Sequence, residues 1–397
     1  MPTTVDVLVI GAGPAGLVAA AELARHGVRA AVVGGPPGAA HEVRLHSRTL
    51  ELLDAAGLDL RHTGRQYGEV RVGDYAVGLD RGETPYPYML VVPDAEFGAR
   101  LNVPIVDAPV ESLSDGPLGA VVRAGGEEFL ARYVIDTAGT WLAARFGVRS
   151  EESGVLGHYR AGRVFFAGDA AHRSPDTGGL GLNLAVQDAM NLSWKLAYVC
   201  RGLASDSLLH TYHAERRVVA AEALRGERLL RGPLRRVLRL GGVRDRVGGL
   251  FSQLGTHYRH TAFSRSHREH GARAAGDRVP DAGGLYRLLR SPGYLLVGAG
   301  ATAVGLLRQV GEVYTGLVRP YLLGGGDASV PAIEDSRGDL RRRMRIGDGD
   351  LALVRPDGYL AFRLPGTVAA LLPNLLGAWV VTRSATPELT PTHSVLG

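Results

Sequence analysis

The chain has 397 residues, of which 45% are hydrophobic and 21% charged, which is ordinary for a globular protein with a buried core. Its formal charge of +5 is too small and too diffuse to predict nucleic-acid binding. Cys200 is the single cysteine, which excludes internal disulfides and a cysteine-built metal site and favours a cytoplasmic location. No export leader or metal site is expected. The longest apolar runs, at residues 294–307 and 371–381, are broken and shorter than the roughly 20 residues of a membrane span.

The first elements in the chain predict a βαβ unit. An apolar strand at residues 5–10 is followed by a glycine-rich turn at residues 11–16, an alanine-rich helix at residues 17–26 and a second strand at residues 28–33. The glycine pattern is specific only in this strand–turn–helix context. The unit therefore predicts a dinucleotide-binding site at the start of the helix, where free N–H groups favour phosphate.

Each glycine of this turn has a physical role in such a site. Gly11 permits the tight turn, Gly13 lets the backbone approach a pyrophosphate, and Gly16 allows the helix and the strand to pack closely. Pro14 and Ala15 lie between them and begin the helix.

The remaining chain alternates between helical and extended patterns, which predicts an α/β fold. We expect a domain boundary between residues 265 and 276. The predicted elements are a helix at 47–56, antiparallel strands within 68–92, a hairpin strand at 127–135, a strand at 163–167, a helix at 181–200, a helical region at 208–240, and short strands and turns from Gly276 onward.

A second motif begins where the strand at residues 163–167 ends. It reads Gly168-Asp169-Ala170-Ala171-His172, and Pro175 and the glycine run Gly178–Asn183 follow. An aspartate at the end of a strand can accept hydrogen bonds from sugar-type hydroxyls. The glycine run leaves backbone amides free at the start of the next helix, where they can meet a pyrophosphate or the polar edge of a flavin.

Together the two motifs, with residues 187–196 and 209–216, resemble the FAD-dependent aromatic hydroxylases, and most closely their branch acting on polyketides. Residues 276–281 and 353–359 resemble the opening and closing of that branch's C-terminal thioredoxin-like domain. The resemblance implies a discontinuous Rossmann-like FAD domain in residues 1–150 and 151–270. It implies a thioredoxin-like domain in residues 271–397, serving structure or homo-oligomerisation because it lacks Cys-x-x-Cys.

The resemblance also implies which residues bind FAD, while the catalytic residues stay unknown. The first turn would bind the ADP half, Asp169 the ribityl chain, and the proline and glycine run would line the isoalloxazine. We interpret His172 as a turn or capping residue. The implied set is Gly11, Gly13, Pro14, Ala15, Gly16, Gly168, Asp169, Pro175, Gly178, Gly179, Gly181, Leu182 and Asn183, with Arg44 and Arg48 as stand-ins for a family arginine expected near His41.

Other positions depart from the family pattern. Gly34 replaces the acidic residue that ends the second strand and accepts from the adenosine ribose, a loss of about 1.5–3 kcal/mol in binding unless a residue such as Glu42 substitutes. Asp94 stands where a glutamine is usual, and Ala138 where an aspartate is usual, with Asp136 two residues earlier. Much of the segment that forms the substrate-covering sheet is missing, so we expect a much reduced substrate domain.

Three functions stay open at this point. The first is an FAD- and NAD(P)H-dependent monooxygenase that hydroxylates or epoxidises a large hydrophobic polyketide-like molecule. The second is a redox-neutral cyclase on the same fold, with FAD structural or absent, which fixes a reactive conformer of its substrate. The third is a binding protein without catalysis. A reduced substrate domain argues against the monooxygenase, because a flavin hydroperoxide must be shielded from water.

Overall fold

An eight-stranded and a five-stranded sheet organise the chain in the computed structural model, which describes residues 2–35, 42–79, 84–139, 141–151, 154–174, 178–232, 238, 240–261, 274–325, 329–377 and 379–380. The strands are β1 (Thr3–Ile10), β2 (Ala30–Val33), β3 (Glu42–Leu45), β4 (Arg65–Tyr67), β5 (Glu69–Val72), β6 (Tyr75–Gly78), β7 (Met89–Pro93), β8 (Ile105–Val106), β9 (Val110–Gly116), β10 (Gly119–Ala124), β11 (Glu127–Asp136), β12 (Arg160–Ala161), β13 (Val164–Phe166), β14 (Tyr294–Ala299), β15 (Val318–Leu323), β16 (Ala332–Ile333), β17 (Leu351–Val354) and β18 (Leu360–Leu364). The helices are α1 (Pro14–Arg25), α2 (Ser47–Ala55), α3 (Asp94–Leu101), α4 (Leu142–Arg145), α5 (Leu180–Cys200), α6 (Ser207–Arg231), α7 (Gly241–Ser252), α8 (Leu285–Leu289), α9 (Val304–Val313), α10 (Asp339–Met344) and α11 (Leu372–Gly377).

The first sheet is parallel at its centre and has the strand order β12-β13-β11-β1-β2-β8. Ile10 at the end of β1 pairs with Asp136 of β11 on one side and Val33 of β2 on the other. The second half of β1, from Val7 to Ile10, is apolar and buried, as expected for a central strand with both faces of the sheet covered. The carboxyl ends of the central strands therefore meet at the glycine turn, and the α/β prediction is confirmed.

Two smaller sheets lie beside the carboxyl edge of the first. One has the order β3-β7-β4 and is antiparallel, and the other is the hairpin β5-β6. α7 packs on this hairpin, and Phe251 of α7 shares an apolar cluster with Val70 and Val77. The antiparallel strands expected within residues 68–92 are therefore present.

The second large sheet has the order β16-β15-β14-β17-β18. β14 and β15 run parallel, whereas β17 and β18 form an antiparallel hairpin beside β14. α9 connects the parallel pair and packs on β15, and α11 follows the hairpin. Leu295 and Val297 of β14 are fully buried in a second apolar cluster, which Ala55 of α2 also joins.

Several sequence predictions need correction. The region after Gly276 contains the helices α8 to α11 as well as strands. The apolar run at residues 294–307 conceals a strand and the start of a helix, which periodicity alone does not separate, and Gly300 breaks it at a φ of +80°. α7 was not predicted, because its glycines are poor helix formers. The helix predicted from residue 208 to 240 ends at Arg231, and the expected boundary falls largely outside the described residues.

A buried cluster of charges joins the C-terminal sheet to α5 and α6. Glu215 of α6 accepts hydrogen bonds from both terminal nitrogens of Arg355 at 2.7 and 2.9 Å and from Lys195 Nζ of α5 at 2.7 Å. Asp357 accepts from Arg355 Nη2 at 2.6 Å and from Trp194 Nε1 at 3.2 Å. Arg355 follows β17, so this cluster connects the C-terminal sheet directly to α5 and α6.

The charges in this cluster depend on one another. Burial raises the pKa of the Glu215 carboxyl, but the positive charges of Arg355 and Lys195 outweigh burial and lower it to about 2. Burial lowers the pKa of the Lys195 amine to about 8 despite the charge of Glu215. Removal of one partner would therefore leave a buried charge without compensation.

We expect Glu215→Gln to destabilise the chain by about 3–5 kcal/mol, because Arg355 and Lys195 would lose their shared counter-charge in the interior. Urea unfolding at pH 7 followed by circular dichroism measures this change. Glu312→Gln is the matched control, since Glu312 is exposed on α9, and it should change the free energy of unfolding by less than about 0.5 kcal/mol. Equal stability of the two variants would contradict a structural role for the cluster.

Candidate functional site

A cleft of about 600 Å³ lies at the carboxyl edge of the parallel sheet. Both glycine motifs reach it, although they are more than 150 residues apart in the chain. The predicted residues that line it are Gly11, Gly13, Pro14, Ala15, Arg44, Asp169, Gly179, Gly181 and Leu182.

The first turn has the backbone shape that a pyrophosphate requires. Gly11 has a φ of +105°, and a Cβ on Gly16 would lie 1.9 Å from the carbonyl oxygen of Gly11, so neither tolerates a side chain. A Cβ on Gly13, in contrast, would meet nothing within 4 Å. Gly13 is also the N-cap of α1 and provides no side-chain cap. Pro14 has no N–H, so the first N–H of α1 belongs to Ala15, which lines the cleft and can donate to a phosphate there.

The second motif presents another helix start and a carboxylate. Asp169 is exposed and lines the cleft within the 3₁₀ turn Gly168–Ala170. Gly179 is the N-cap of α5 at a φ of +82°, where a Cβ would lie 2.9 Å from Arg44 Cβ. The first turn of α5 thus meets β3 with no side chain between them. These features fit FAD, since two uncapped helix starts and a free carboxylate suit a diphosphate and a polyol chain.

Other predicted residues shape the cleft from behind and do not line it. Asn183 is fully buried; its Oδ1 accepts from the backbone N–H of His46 at 2.8 Å, and its Nδ2 donates to the Arg44 carbonyl at 2.7 Å. His46 Nε2 hydrogen-bonds the carbonyl of Gly178 at 2.8 Å. The Gly168 N–H donates to Asp188 at 3.2 Å, and Gly16 faces the backbone of the first turn. Pro175 lies outside the described residues.

Of the two arginines proposed as stand-ins, only Arg44 reaches the cleft. Arg48 is fully buried, donates to Glu51 at 2.9 Å and to Tyr286 Oη and the Asp357 carbonyl at 2.7 Å each. Both terminal nitrogens of Arg48 are therefore engaged by residues of the C-terminal part of the chain, and Arg48 is not available to the cofactor.

His172 is a structural residue in this site, although not a capping one. Its Nε2 lies 2.9 Å from Asp188 Oδ2 in the interior, and Arg216 Nε donates to the other oxygen at 2.7 Å. Burial raises the pKa of the Asp188 carboxyl, but the charges of Arg216 and His172 outweigh burial and lower it. Because Asp188 also holds the Gly168 N–H, this group fixes the second turn.

The departures from the family pattern also lie at the cleft. Thr137 and Ala138 line it, and Asp136 is buried behind them and accepts from the Ala138 N–H at 3.0 Å. Asp94 lines the cleft as well, and burial raises the pKa of its carboxyl. The position where the pattern has an aspartate therefore presents a methyl group.

A hydroxyl–carboxylate pair beside the cleft was missed by the sequence reasoning. Ser174 lines the cleft, and its Oγ donates to Glu227 Oε2 at 2.8 Å. Glu227 is 1% exposed, and its buried Oε1 has no hydrogen-bond partner among the described residues. The other buried glutamates, Glu22, Glu51 and Glu215, each contact an arginine. No local sequence signal links residues 53 apart, so this pair is visible only in the fold.

Comparisons with known proteins agree with this site. Residues 4–101 and 143–227 match the family described as FAD binding domain. The rifampicin monooxygenase of Streptomyces venezuelae is 31% identical over 55% of this chain and 69% of its own length. The dialkyldecalin synthase of Streptomyces rugosporus is 32% identical over 77% of this chain and 61% of its own. The chain therefore belongs to the family of FAD-dependent aromatic and polyketide monooxygenases.

The solved structure of an anhydrotetracycline hydroxylase from Streptomyces rimosus superposes with a TM-score of 0.77 at 23% identity, covering 95% of this chain and 99% of that one. This likeness establishes the fold. Several curated relatives match over only 46% of their own length, so the chain spans about half of those proteins. The described residues contain no helix long and apolar enough to cross a membrane and no cluster of potential metal ligands.

The two glycines of the first turn should respond differently to the same methyl group. Gly16→Ala should destabilise the chain by about 3 kcal/mol because its Cβ overlaps backbone. Gly13→Ala should leave stability within about 0.5 kcal/mol but weaken FAD binding about tenfold, because the methyl enters the cleft. Thermal unfolding and quenching of flavin fluorescence measure the two effects. Unchanged FAD affinity in Gly13→Ala would show that the phosphates of FAD do not bind at this turn.

His46 should make stability fall in acid. Burial lowers the pKa of its imidazole from 6.5 to about 4, so between these values the unfolded chain binds a proton that the folded chain does not. Stability should therefore decline as pH falls from about 6.5 to 4, by up to about 3 kcal/mol. His46→Gln should remove this part of the slope in urea unfolding measured at several pH values, whereas the exposed-site control His62→Gln should keep it.

Proposed function

We propose that the chain is an FAD-dependent monooxygenase that acts on a large, hydrophobic, polyketide-like small molecule with NAD(P)H and O₂. The single observation that carries this proposal is the cleft, which combines two open helix starts with the carboxylate of Asp169. The family membership and the polyketide-tailoring names of the relatives support it.

The residues have defined tasks in this proposal. The N–H groups of α1 beyond Gly13 would bind the diphosphate, and Arg44 would add a positive charge at the same cleft. Asp169 would accept hydrogen bonds from the ribityl hydroxyls, while the open backbone at Gly179 and Gly181 would lie against the ring. When bound and reduced by NAD(P)H, FAD would pass two electrons to O₂, one atom of which enters the substrate while the other leaves as water. The chain itself orients both molecules and excludes water.

We also propose a division into FAD-binding residues 1–150 and 151–270 and a thioredoxin-like domain in residues 271–397. The parallel pair β14-β15 beside the antiparallel hairpin β17-β18, with α9 between and α11 after, supports the latter. The sheet β3-β7-β4 and the hairpin β5-β6 are proposed to be a reduced substrate domain. A cytoplasmic location and homo-oligomers stay predictions.

A second candidate function is a redox-neutral ring closure on the same fold. Ser174 and Glu227 favour it: Ser174 Oγ can accept a proton from a molecule in the cleft while it passes its own proton to Glu227 Oε2. The products are a ligand anion and a neutral Glu227 carboxylic acid, with the Ser174 hydroxyl restored. The similarity to a dialkyldecalin synthase points in the same direction.

The absorption spectrum of the purified chain, followed by anaerobic addition of NADPH, tests the proposal. We expect the visible bands of oxidised flavin, bleaching by NADPH, and NADPH consumption in air stimulated by an aromatic polyketide such as anhydrotetracycline. A yellow protein that NADPH does not bleach would favour ring closure, and a colourless one would contradict the monooxygenase. Glu227→Gln should leave bleaching unchanged but slow an isomerisation of a linear polyketide about a hundredfold, since it keeps the shape and removes the base.

A further inference from the structure

The end of β2 cannot carry the acidic side chain that the family pattern places there. Gly34 has a φ of +143°, and a Cβ on it would lie 3.1 Å from the backbone N and Cα of Gly11. The backbone conformation and the close approach to the first turn both exclude a side chain. The adenosine end of the cleft therefore lacks the carboxylate that β2 supplies in dinucleotide-binding folds.

The neighbouring strand brings a carboxylate to the same place. β8 pairs in parallel with β2, with Val33 opposite Val106, and the Gly34 N–H donates to the Val106 carbonyl at 3.1 Å. Asp107 is the next residue after this pair. Its Oδ1 lies 3.6 Å from the position that a Cβ on Gly35 would occupy, and Gly35 lines the cleft. Because carboxyl ends of parallel strands share one sheet edge, the Asp107 carboxylate lies beside the end of β2, next to the cleft-lining Gly35.

Asp107 is also free to bind. It is exposed, and within the part of the chain that the structure describes its carboxylate has no hydrogen bond or ion pair. Glu42, the substitute considered from the sequence, lines the cleft too, but its Oε1 accepts from Arg65 Nη2 at 2.6 Å. The charge of Glu42 is therefore already compensated, whereas that of Asp107 is not.

We infer that Asp107 of β8 replaces the missing acid of β2 and accepts hydrogen bonds from the adenosine ribose hydroxyls of the cofactor. This inference rests on the proposed FAD binding. Two adjacent hydroxyls can donate to the two oxygens of one carboxylate, and such charge-assisted hydrogen bonds are stronger than neutral ones. Asp107 acts here as a binding and specificity-determining residue.

The test compares two ligands on matched variants of the full chain stripped of cofactor. Binding of FAD is followed by quenching of flavin fluorescence, and ADP and 2′,3′-dideoxyadenosine diphosphate compete with it. The chain should bind ADP about tenfold or more tightly than the dideoxy analogue. Asp107→Asn should bring this ratio close to one and weaken FAD about tenfold. Glu42→Gln and the distant Glu312→Gln should keep the ratio.

Each outcome decides between defined alternatives. Loss of the ratio in Glu42→Gln instead of Asp107→Asn would assign the ribose to β3 and overturn the inference. The inference would also be overturned if Asp107→Asn weakened both competitors equally and so left the ratio of their affinities unchanged. The same holds if the natural chain bound ADP and the dideoxy analogue equally well, or if neither competed with FAD. Failure of the natural chain to bind FAD would contradict the proposed function itself. Because the Asp107 carboxylate has no hydrogen bond or ion pair to any described residue, Asp107→Asn should unfold at the same temperature as the natural chain, which verifies its folding.

Discussion

The charge cluster around Glu215 determines where the second half of the cleft lies. α5 begins at the cleft with Leu180 and enters the cluster three turns later, where Asn191 and Lys195 hydrogen-bond Glu215 at 2.8 and 2.7 Å. Arg355 fixes the same carboxylate from the C-terminal sheet. Because a helix is stiff, the start of α5 cannot move independently of its middle, which the hydrogen bonds to Glu215 hold in place. The C-terminal part therefore contributes to the cofactor site without lining it, and the two halves of the chain have to be considered together.

A second group of buried charges constrains the opposite wall of the cleft. Arg48 and Arg278 share Glu51 of α2, and Tyr286 of α8 accepts a hydrogen bond from Arg48. α2 follows β3 directly, so this anchor also sets the position of Arg44 at the cleft. Arg48, which the sequence suggested as a cofactor ligand, is therefore a structural residue like Arg355. The guanidiniums of Arg48 and Arg355 each connect the N-terminal and C-terminal parts of the chain. Burial of either charge without its partners would be unfavourable.

The parts of the site that the sequence predicted are those determined by local backbone geometry. The turn from Gly11 to Gly16, the strand before it and the helix after it follow from glycine spacing and hydrophobic periodicity, and the second motif follows in the same way. Arg48, Asp107 and Glu227 were misassigned or missed because their environments are made by residues far away in the chain. Arg48 contacts a residue 309 positions later. Similarly, Gly-rich α7 is stabilised by packing on β5 and β6, which outweighs low intrinsic helix propensity.

The small sheets bear on the choice between oxidation and ring closure. A Cβ on Gly178 would lie 3.1 Å from Phe251 of α7 and equally close to Val70 of β5, so apolar side chains pack against this glycine. These apolar contacts would help to keep water away from a cofactor bound on that side, which oxygen chemistry requires. Ser174 and Gly181 remain open to the cleft beside this cap. A bound hydrophobic molecule would have to complete the shielding there, and the same position would bring its acidic groups to Ser174 and Glu227. The fold thus supports both reactions at one place, and the reactivity of the bound flavin toward NADPH decides between them.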